Sequence, residues 1–497
     1  MGKAKKATPP AGPSPRYRFF CWAVAFLALA QLVVGLDYVT IWPGAEAQFI
    51  WDSQTKTSGF SPLLDIMGSI PIDSEYWLLA YRLPGLLFYL LGLWLFYRWG
   101  QALFGQRAVE VSLLVAAATL LLPVLAKNGA LDSWRFGWEI ACWTALLRFI
   151  KTPERKWLIA VAVTGSIAAL LGQWATVVML LIWQVSYYRI LTPNNEPLKR
   201  QLAKPFVLIL VVFALSLVLG LVFGGGISHR DFMTFDFVQL GQWKFFFYSL
   251  LGLAPFIGFT LAALRDLIYK LRRGEELAVL IGIGLVGSLL TLSLVFPFLL
   301  IFLTAKQLEL YFKAKNYPWE NWVKTAQVLH LILVFLGVVL SLLGGFIQFQ
   351  ADGFRAVLGC SAAYWMFSLV GVIGLYGVRR DYVLGGMTLA GLLALLFFWI
   401  QVYPFAHLQR NWPERMALEI QKQEPAPDAI FIPEEEVESL PLAPYLMRKE
   451  LPVQVTDSIP DNAFEVRMAQ PADTLLQPQI VIKGWPGMGG WTEWIVE

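Results

Sequence analysis

Cysteine and histidine are almost missing from this chain, with three of each among 497 residues. Cys21, Cys142 and Cys360 all fall in apolar stretches. An odd, scattered set of this kind argues against a disulfide framework or a metal cluster, and the three read as small core residues. Charge is scarce too. Asp, Glu, Lys and Arg supply 15% of the chain, against about 25% in an ordinary soluble protein. No A-x-A-like cleavage site follows the first apolar stretch, so no removable leader is expected. Internal repeats and low-complexity tracts are also lacking.

What fills the chain instead is apolar: 57% of residues are hydrophobic. They come in blocks of roughly 17 to 25, the length that crosses a ~30 Å hydrocarbon core as a helix. A soluble core would give amphipathic stripes at helical period. Hydropathy predicts about thirteen spans, at 19–36, 83–99, 109–126, 134–150, 157–171, 174–191, 205–223, 245–264, 277–295, 298–312, 325–349, 356–378 and 382–403. Only Gly172 and Gln173 separate the fifth from the sixth, and only Pro297 separates the ninth from the tenth.

Alternate loops collect the cations. One side receives Lys3, Lys5, Lys6, Arg16 and Arg18, then Arg98 and Arg107, Lys151, Arg155 and Lys156. Lys199, Arg200, Lys204, Arg265, Lys270, Arg272, Arg273, Lys313, Lys315, Arg379 and Arg380 continue the series. By the positive-inside rule that side is cytoplasmic. The N-terminus is then inside and the C-terminus outside. The expected organisation is a basic cytoplasmic tail (1–18), a transmembrane domain (19–404) with a long first outer loop (37–81), and a soluble outer domain (405–497). That last part holds seven basic and fifteen acidic residues. Short β-prone runs at 429–432, 453–456, 464–468 and 480–483 follow a helical stretch near 405–423. The fold class is therefore an all-α polytopic membrane protein with a small C-terminal α/β domain. The basic surplus belongs to the loops and points to membrane lipids, not nucleic acid.

Ionisable groups near the outer span ends are the candidates for chemistry, because a charge at membrane depth is expensive and tends to be functional. Asp132 opens the fourth span, where it also reads as a helix cap. Glu46 lies in the first outer loop, where it also reads as a solvated side chain. Arg82 opens the second span and reads equally as a snorkelling anchor. Lys127 precedes Asp132. His229, Arg230 and Asp231 form a polar outer loop, with Lys244 beyond it. Glu139, inside the fourth span, is expected to pair with a neighbour, and His330 to be a packed residue.

Several motifs fall in a fixed order. Trp42-Pro-Gly-Ala45-Glu46-Ala47-Gln48-Phe49 leads into Ile50-Trp51-Asp52-Ser53-Gln54. Gly59-Phe60-Ser61-Pro62-Leu63 follows, then Arg82-Leu83-Pro84, then Asp132 after a short outer turn, then Gly165 through Gly172-Gln173. In this order they resemble the GT-C membrane glycosyltransferases. Within these the likeness is to the aminoarabinose-transferase and protein O-mannosyltransferase group (dolichyl-phosphate-mannose-protein mannosyltransferase-like). That group carries W-x-D-E-A-x-Y in its first outer loop. Ala45 stands at the leading acid of that motif, Gln173 stands where a lysine is expected, and Pro62 remains of a proline pair.

The resemblance implies a hexosyl- or pentosyltransferase of a bacterial inner membrane. A polyprenyl-phosphate-linked sugar would be the donor, and a lipid, glycan or protein on the outer side the acceptor. Glu46 and Asp132 would be the catalytic carboxylates, with Asp37 and Asp52 as further loop acids. Lys127, Arg82, Arg230 and Lys244 would hold the donor phosphate. A hydrophobic groove under the first outer loop would take the prenyl chain. No motif names a metal or another cofactor. Ala45 and Gln173 leave open a non-catalytic protein of the same fold that binds a lipid or partner. Membrane topology alone leaves open a transporter.

Overall fold

The computed structural model describes residues 15–36, 50–51, 53–54, 67, 69, 77–127, 131–191, 196–223, 240–313, 316–405, 412–422, 429–432, 442–456, 464–468, 480–484 and 492–496. Its helices in chain order are α1 (Pro15–Val33), α2 (Trp77–Phe104), α3 (Gln106–Ala118), the short α4 (Leu122–Leu125), α5 (Leu131–Lys151), α6 (Arg155–Leu191) and α7 (Glu196–Phe223). They continue with α8 (Leu240–Gly252), α9 (Ile257–Arg272), α10 (Glu276–Leu290), α11 (Val295–Lys313), α12 (Glu320–Tyr376) and α13 (Arg380–Phe397). A π-helical turn, Phe398–Val402, extends α13.

Among the described residues five helices are long and apolar enough to cross a membrane, or six when one bent pair counts as a span. Four shorter apolar helices join them: Phe19–Val33, Ala175–Tyr187, Ala203–Leu215 and Glu276–Leu290. Two long helices double back on themselves. In α6, Val161 O lies 3.8 Å from Cys142 Sγ, while Tyr187 Oη accepts from Trp143 Nε1 at 3.2 Å. Along a straight helix Val161 and Tyr187 would be about 39 Å apart, so the two halves run side by side. In α12, His330 Nε2 pairs with Tyr364 Oη at 3.1 Å, which folds its spans Glu320–Gly344 and Ala351–Tyr376 together.

Three predicted spans are built differently from the expectation. The span at 245–264 is bent by 70° between Gly252 and Ala254, where Pro255 lies in a 3-10 turn. The span at 109–126 stops at Ala118 and restarts as α4 with Pro123 in its first turn. The break before α11 falls at 291–294 and not at Pro297, which sits in the first turn of α11, where a missing N–H costs little.

Close packing sets how the elements cross. A Cβ on Gly92 would lie 2.3 Å from Gly137 Cα, and one on Gly137 would lie 1.9 Å from Phe88 O. Hence α2 and α5 touch backbone to backbone. One turn from that crossing, a Cβ on Gly85 would meet Ser133 Oγ at 2.5 Å. The start of α5, with Asp132 in it, therefore lies beside the start of α2.

The C-terminal residues form helices α14 (Trp412–Gln421) and α15 (Leu442–Arg448) and strands β1 (Ile430–Ile432), β2 (Val453–Val455), β3 (Phe464–Met468), β4 (Ile480–Gly484) and β5 (Thr492–Val496). The sheet order is β2-β1-β3-β5-β4. β1 pairs in parallel with β2 and β3, while β5 is antiparallel to β3 and β4. α15 supplies the crossover that the parallel β1–β2 pair requires. Four strands match the β-prone runs; β5 and α15 were not anticipated. This unit shares a core with the membrane bundle, since Trp77, Tyr81 and Trp134 cluster with Trp412, Met416 and Tyr445. That junction marks the domain-bearing end.

Candidate active site

The site is built around the C-terminal turn of α1. The last carbonyls of any helix lack partners within it and carry the negative end of its dipole. Here two buried cations supply the partners. Lys127 Nζ donates to Gln31 O at 2.9 Å and also to Val34 O. Arg82 Nη1 donates to Leu36 O at 3.2 Å. Their relative exposures are 2% and 1%, so both charges are removed from solvent.

The chain breaks described above put Lys127 there. α3 ends because α13 crosses it in contact: a Cβ on Gly391 would lie 1.7 Å from Ala118 O. The backbone then turns, with Leu120 N–H donating to Gly252 O, and α4 carries Lys127 under the end of α13. There the π-helical turn contains Trp399, whose ring centroid lies 3.4 Å from Lys127 Nζ. Single π turns of this kind occur frequently at functional sites, and the ring face attracts the ammonium.

Tyr81 connects this cluster to the first long loop. Its hydroxyl shares a hydrogen bond with Ser53 Oγ at 2.7 Å, accepts from Gln54 Nε2 at 2.7 Å and donates to Met67 O at 3.2 Å. Above it, Trp77 packs edge-on to both Tyr81 and Tyr445. One column of rings thus joins the loop, the second span and the C-terminal unit.

A second polar centre lies deeper. Glu139 is fully buried. It accepts from Thr176 Oγ1 at 2.5 Å and from Ser293 Oγ, and Arg135 Nε lies 3.8 Å away. Ser293 Oγ in turn accepts from Val295 N–H, and Arg135 Nη2 reaches Leu292 O. Leu292 has φ 51°, an unusual conformation for a bulky residue. Glu139 does pair with a neighbour, and it holds the α10–α11 turn against α5 and α6.

Between α1, α2 and α3 runs an apolar groove of about 1250 Å³, lined by residues such as Trp22, Leu29, Leu93, Trp94 and Leu114. Apart from Cys21, Tyr89 and Tyr97, its polar lining among the described residues falls in two places. Gln106, Arg107, Glu110 and Asp381 lie at one end, and Gln31 at the other. Gln31 is the residue whose carbonyl Lys127 holds. The groove is therefore joined to Lys127 through Gln31.

Of the sequence candidates, Arg82 and Lys127 converge on one helix end, and Asp132 sits in the first turn of α5 beside α2. Lys244 is exposed on α8, with no hydrogen bond or ion pair among the described residues. Asp37, Glu46, Asp52 and Arg230 lie outside the described residues, among which no group of three His, Cys, Asp or Glu could hold a metal. Sequence reading missed Gln31, Tyr81 and Trp399. Gln31 carried a signal, a polar side chain in an otherwise apolar span.

No family pattern and no curated protein matches the sequence. Solved structures do. ArnT from Cupriavidus metallidurans in the apo state superposes with a TM-score of 0.63 at 16% identity, over 97% of this chain and 98% of that one. The same protein bound to undecaprenyl phosphate gives 0.64 at 15% identity, over 97% of each. This chain has the GT-C membrane fold. With that fold and its apolar helices it is an integral membrane protein. An oligosaccharyltransferase from Archaeoglobus fulgidus also matches, at a TM-score of 0.39 and 12% identity over 90% of this chain and 63% of that one, too low to support an argument.

Proposed function

We propose that this GT-C protein is a glycosyltransferase that moves a sugar from a polyprenyl-phosphate-linked donor to an acceptor at the outer face of the membrane. The observation that carries the reading is the groove. An apolar channel suited to a prenyl chain is lined by Gln31, whose carbonyl accepts from Lys127, and Arg82 binds Leu36 O five residues further along. An apolar tail and an anionic head are the two halves of such a donor, and ArnT with undecaprenyl phosphate bound has the same fold.

Among their contacts, Lys127 and Arg82 donate to backbone carbonyls of the α1 end. A phosphate oxygen is the stronger acceptor, since charge-assisted hydrogen bonds are about twice as strong as neutral ones. Donor binding would therefore draw these cations onto the phosphate, where they stabilise the charge that develops as the sugar–phosphate bond breaks. The acceptor hydroxyl attacks the anomeric carbon, a carboxylate takes its proton, and polyprenyl phosphate leaves with inversion at the sugar. Glu46 and Asp132 are the proposed carboxylates; Asp132 has the better structural support, because its turn lies beside that of Arg82. A general base contributes typically 10²–10⁴-fold. Arg230 and Lys244 are proposed as outer contacts of the headgroup. The 405–497 unit is proposed to face the acceptor on the extracytoplasmic side.

The test is release of polyprenyl phosphate from a panel of polyprenyl-phosphate sugars by the full chain in nanodiscs, with envelope extract as acceptor. Wild-type release lost in Glu46→Gln or Asp132→Asn supports the proposal. Saturable lipid binding with no release from any donor refutes it, in favour of a binding protein.

A further inference from the structure

Gln31 is fully buried, and among the described residues neither its Nε2 nor its Oε1 has a hydrogen-bond partner. Buried polar side chains are nearly always satisfied, and an orphan amide costs about 1–3 kcal/mol per unmade bond. By contrast, the buried carboxylate of Glu139 accepts from both Thr176 and Ser293. Nor does Gln31 sit anywhere unremarkable. Its backbone carbonyl holds Lys127, and it is the polar lining residue where the groove meets the cations. An apolar residue of the same length would pack there without that cost.

We propose that Gln31 is a contact of the donor headgroup, its amide N–H groups donating to a phosphate oxygen and its carbonyl accepting from a hydroxyl of the sugar. The inference rests on the reading of the groove and Lys127 as the polyprenyl-phosphate site. The chemistry suits the depth. An amide supplies both donor and acceptor without a net charge, which at the edge of an apolar groove is far cheaper to bury than another cation or a carboxylate. The two cations supply attraction for any phosphate. Gln31 adds direction, because a planar amide fixes where the phosphodiester and the first sugar hydroxyl lie.

The test exploits a difference in sign. Gln31→Met, in the full chain in nanodiscs, removes an unsatisfied amide from the empty protein and a hydrogen bond from the occupied one. The thermal midpoint without ligand should rise, while affinity for undecaprenyl phosphate falls about 10-fold or more, as for one lost hydrogen bond to a charged group. Gln31→Leu is the second variant, should methionine refill the space badly. A residue needed only for packing would show the opposite pattern, a lower midpoint and unchanged affinity, and that result overturns the inference. Lys127→Met is measured beside it. Unchanged affinity in Lys127→Met refutes the site reading beneath; weakened affinity in Lys127→Met with unchanged affinity in both Gln31 variants refutes the role of Gln31 alone.

Discussion

Replacing Glu139 by leucine removes a fully buried carboxylate from a centre where α5, α6 and the α10–α11 turn meet. The loss has three parts: the Thr176 and Ser293 hydroxyls lose their acceptor, and Arg135, only 8% exposed, loses one of its partners. Breaking a buried pair by removing one partner typically costs about 3–5 kcal/mol, most of it the uncompensated charge left behind. Replacing both partners by apolar residues of similar volume is often close to neutral. Glu139→Leu should therefore lower the thermal midpoint by about 3–10 °C, taking roughly 1–2 °C per kcal/mol for a chain this long. The double variant Glu139→Leu/Arg135→Leu should recover most of that loss. The assay is intrinsic-fluorescence melting in nanodiscs for wild type, both single variants and the double, which yields the coupling directly. A single variant within about 1 °C of wild type, or a double variant less stable than the single, would refute the account of Arg135 and Glu139 as mutually dependent.

Two other substitutions test the placement of Lys127. Gly391→Ala puts a methyl group where Ala118 O already lies, at 1.7 Å; since Cβ is fixed to the α13 backbone and Ala118 O belongs to the α3 backbone, α13 must move off α3, and both thermal stability and transfer should fall together. Graded fluorination of Trp399, introduced by nonsense suppression, weakens the ring face without changing its shape. Affinity for undecaprenyl phosphate should change stepwise with fluorine number if the ring orients Lys127, over a range set by the ~2 kcal/mol of a desolvated cation–π contact; a flat series would show that the ring only fills space.

The sequence made the membrane part legible because bilayer thickness and charge bias act on composition directly. Arg82 and Lys127 stood out for the same reason, as charges at the ends of apolar runs. Their shared target was hidden, because carbonyls at the end of α1 leave no mark in residue identities. Trp399 reads in a sequence as one more aromatic in an apolar span; only the extra residue of the π turn shows where its ring points. Two breaks went unseen although Pro123 and Pro255 signalled them, since hydropathy averaged over a long window smooths a short turn. Four strands were visible from β-branched runs. β5, with Thr492, Trp494, Ile495 and Val496, had the same character but follows a glycine-rich stretch, and α15 is too short for helical periodicity to register.

The clamp on α1 joins segments made at very different times during synthesis. Gln31 and Val34 enter the membrane first, and Lys127 reaches them only after two further elements have been inserted. Trp399 arrives after nearly all of the bundle is in place. Until Lys127 is inserted, Gln31 O and Val34 O lack that cation, and until Trp399 follows, Lys127 lacks the ring that covers it. A ribosome that stops before residue 399 leaves a bundle with an open seam at the place where donor would bind. Assembly of this centre thus reports completion of the helical bundle, before the C-terminal sheet is made.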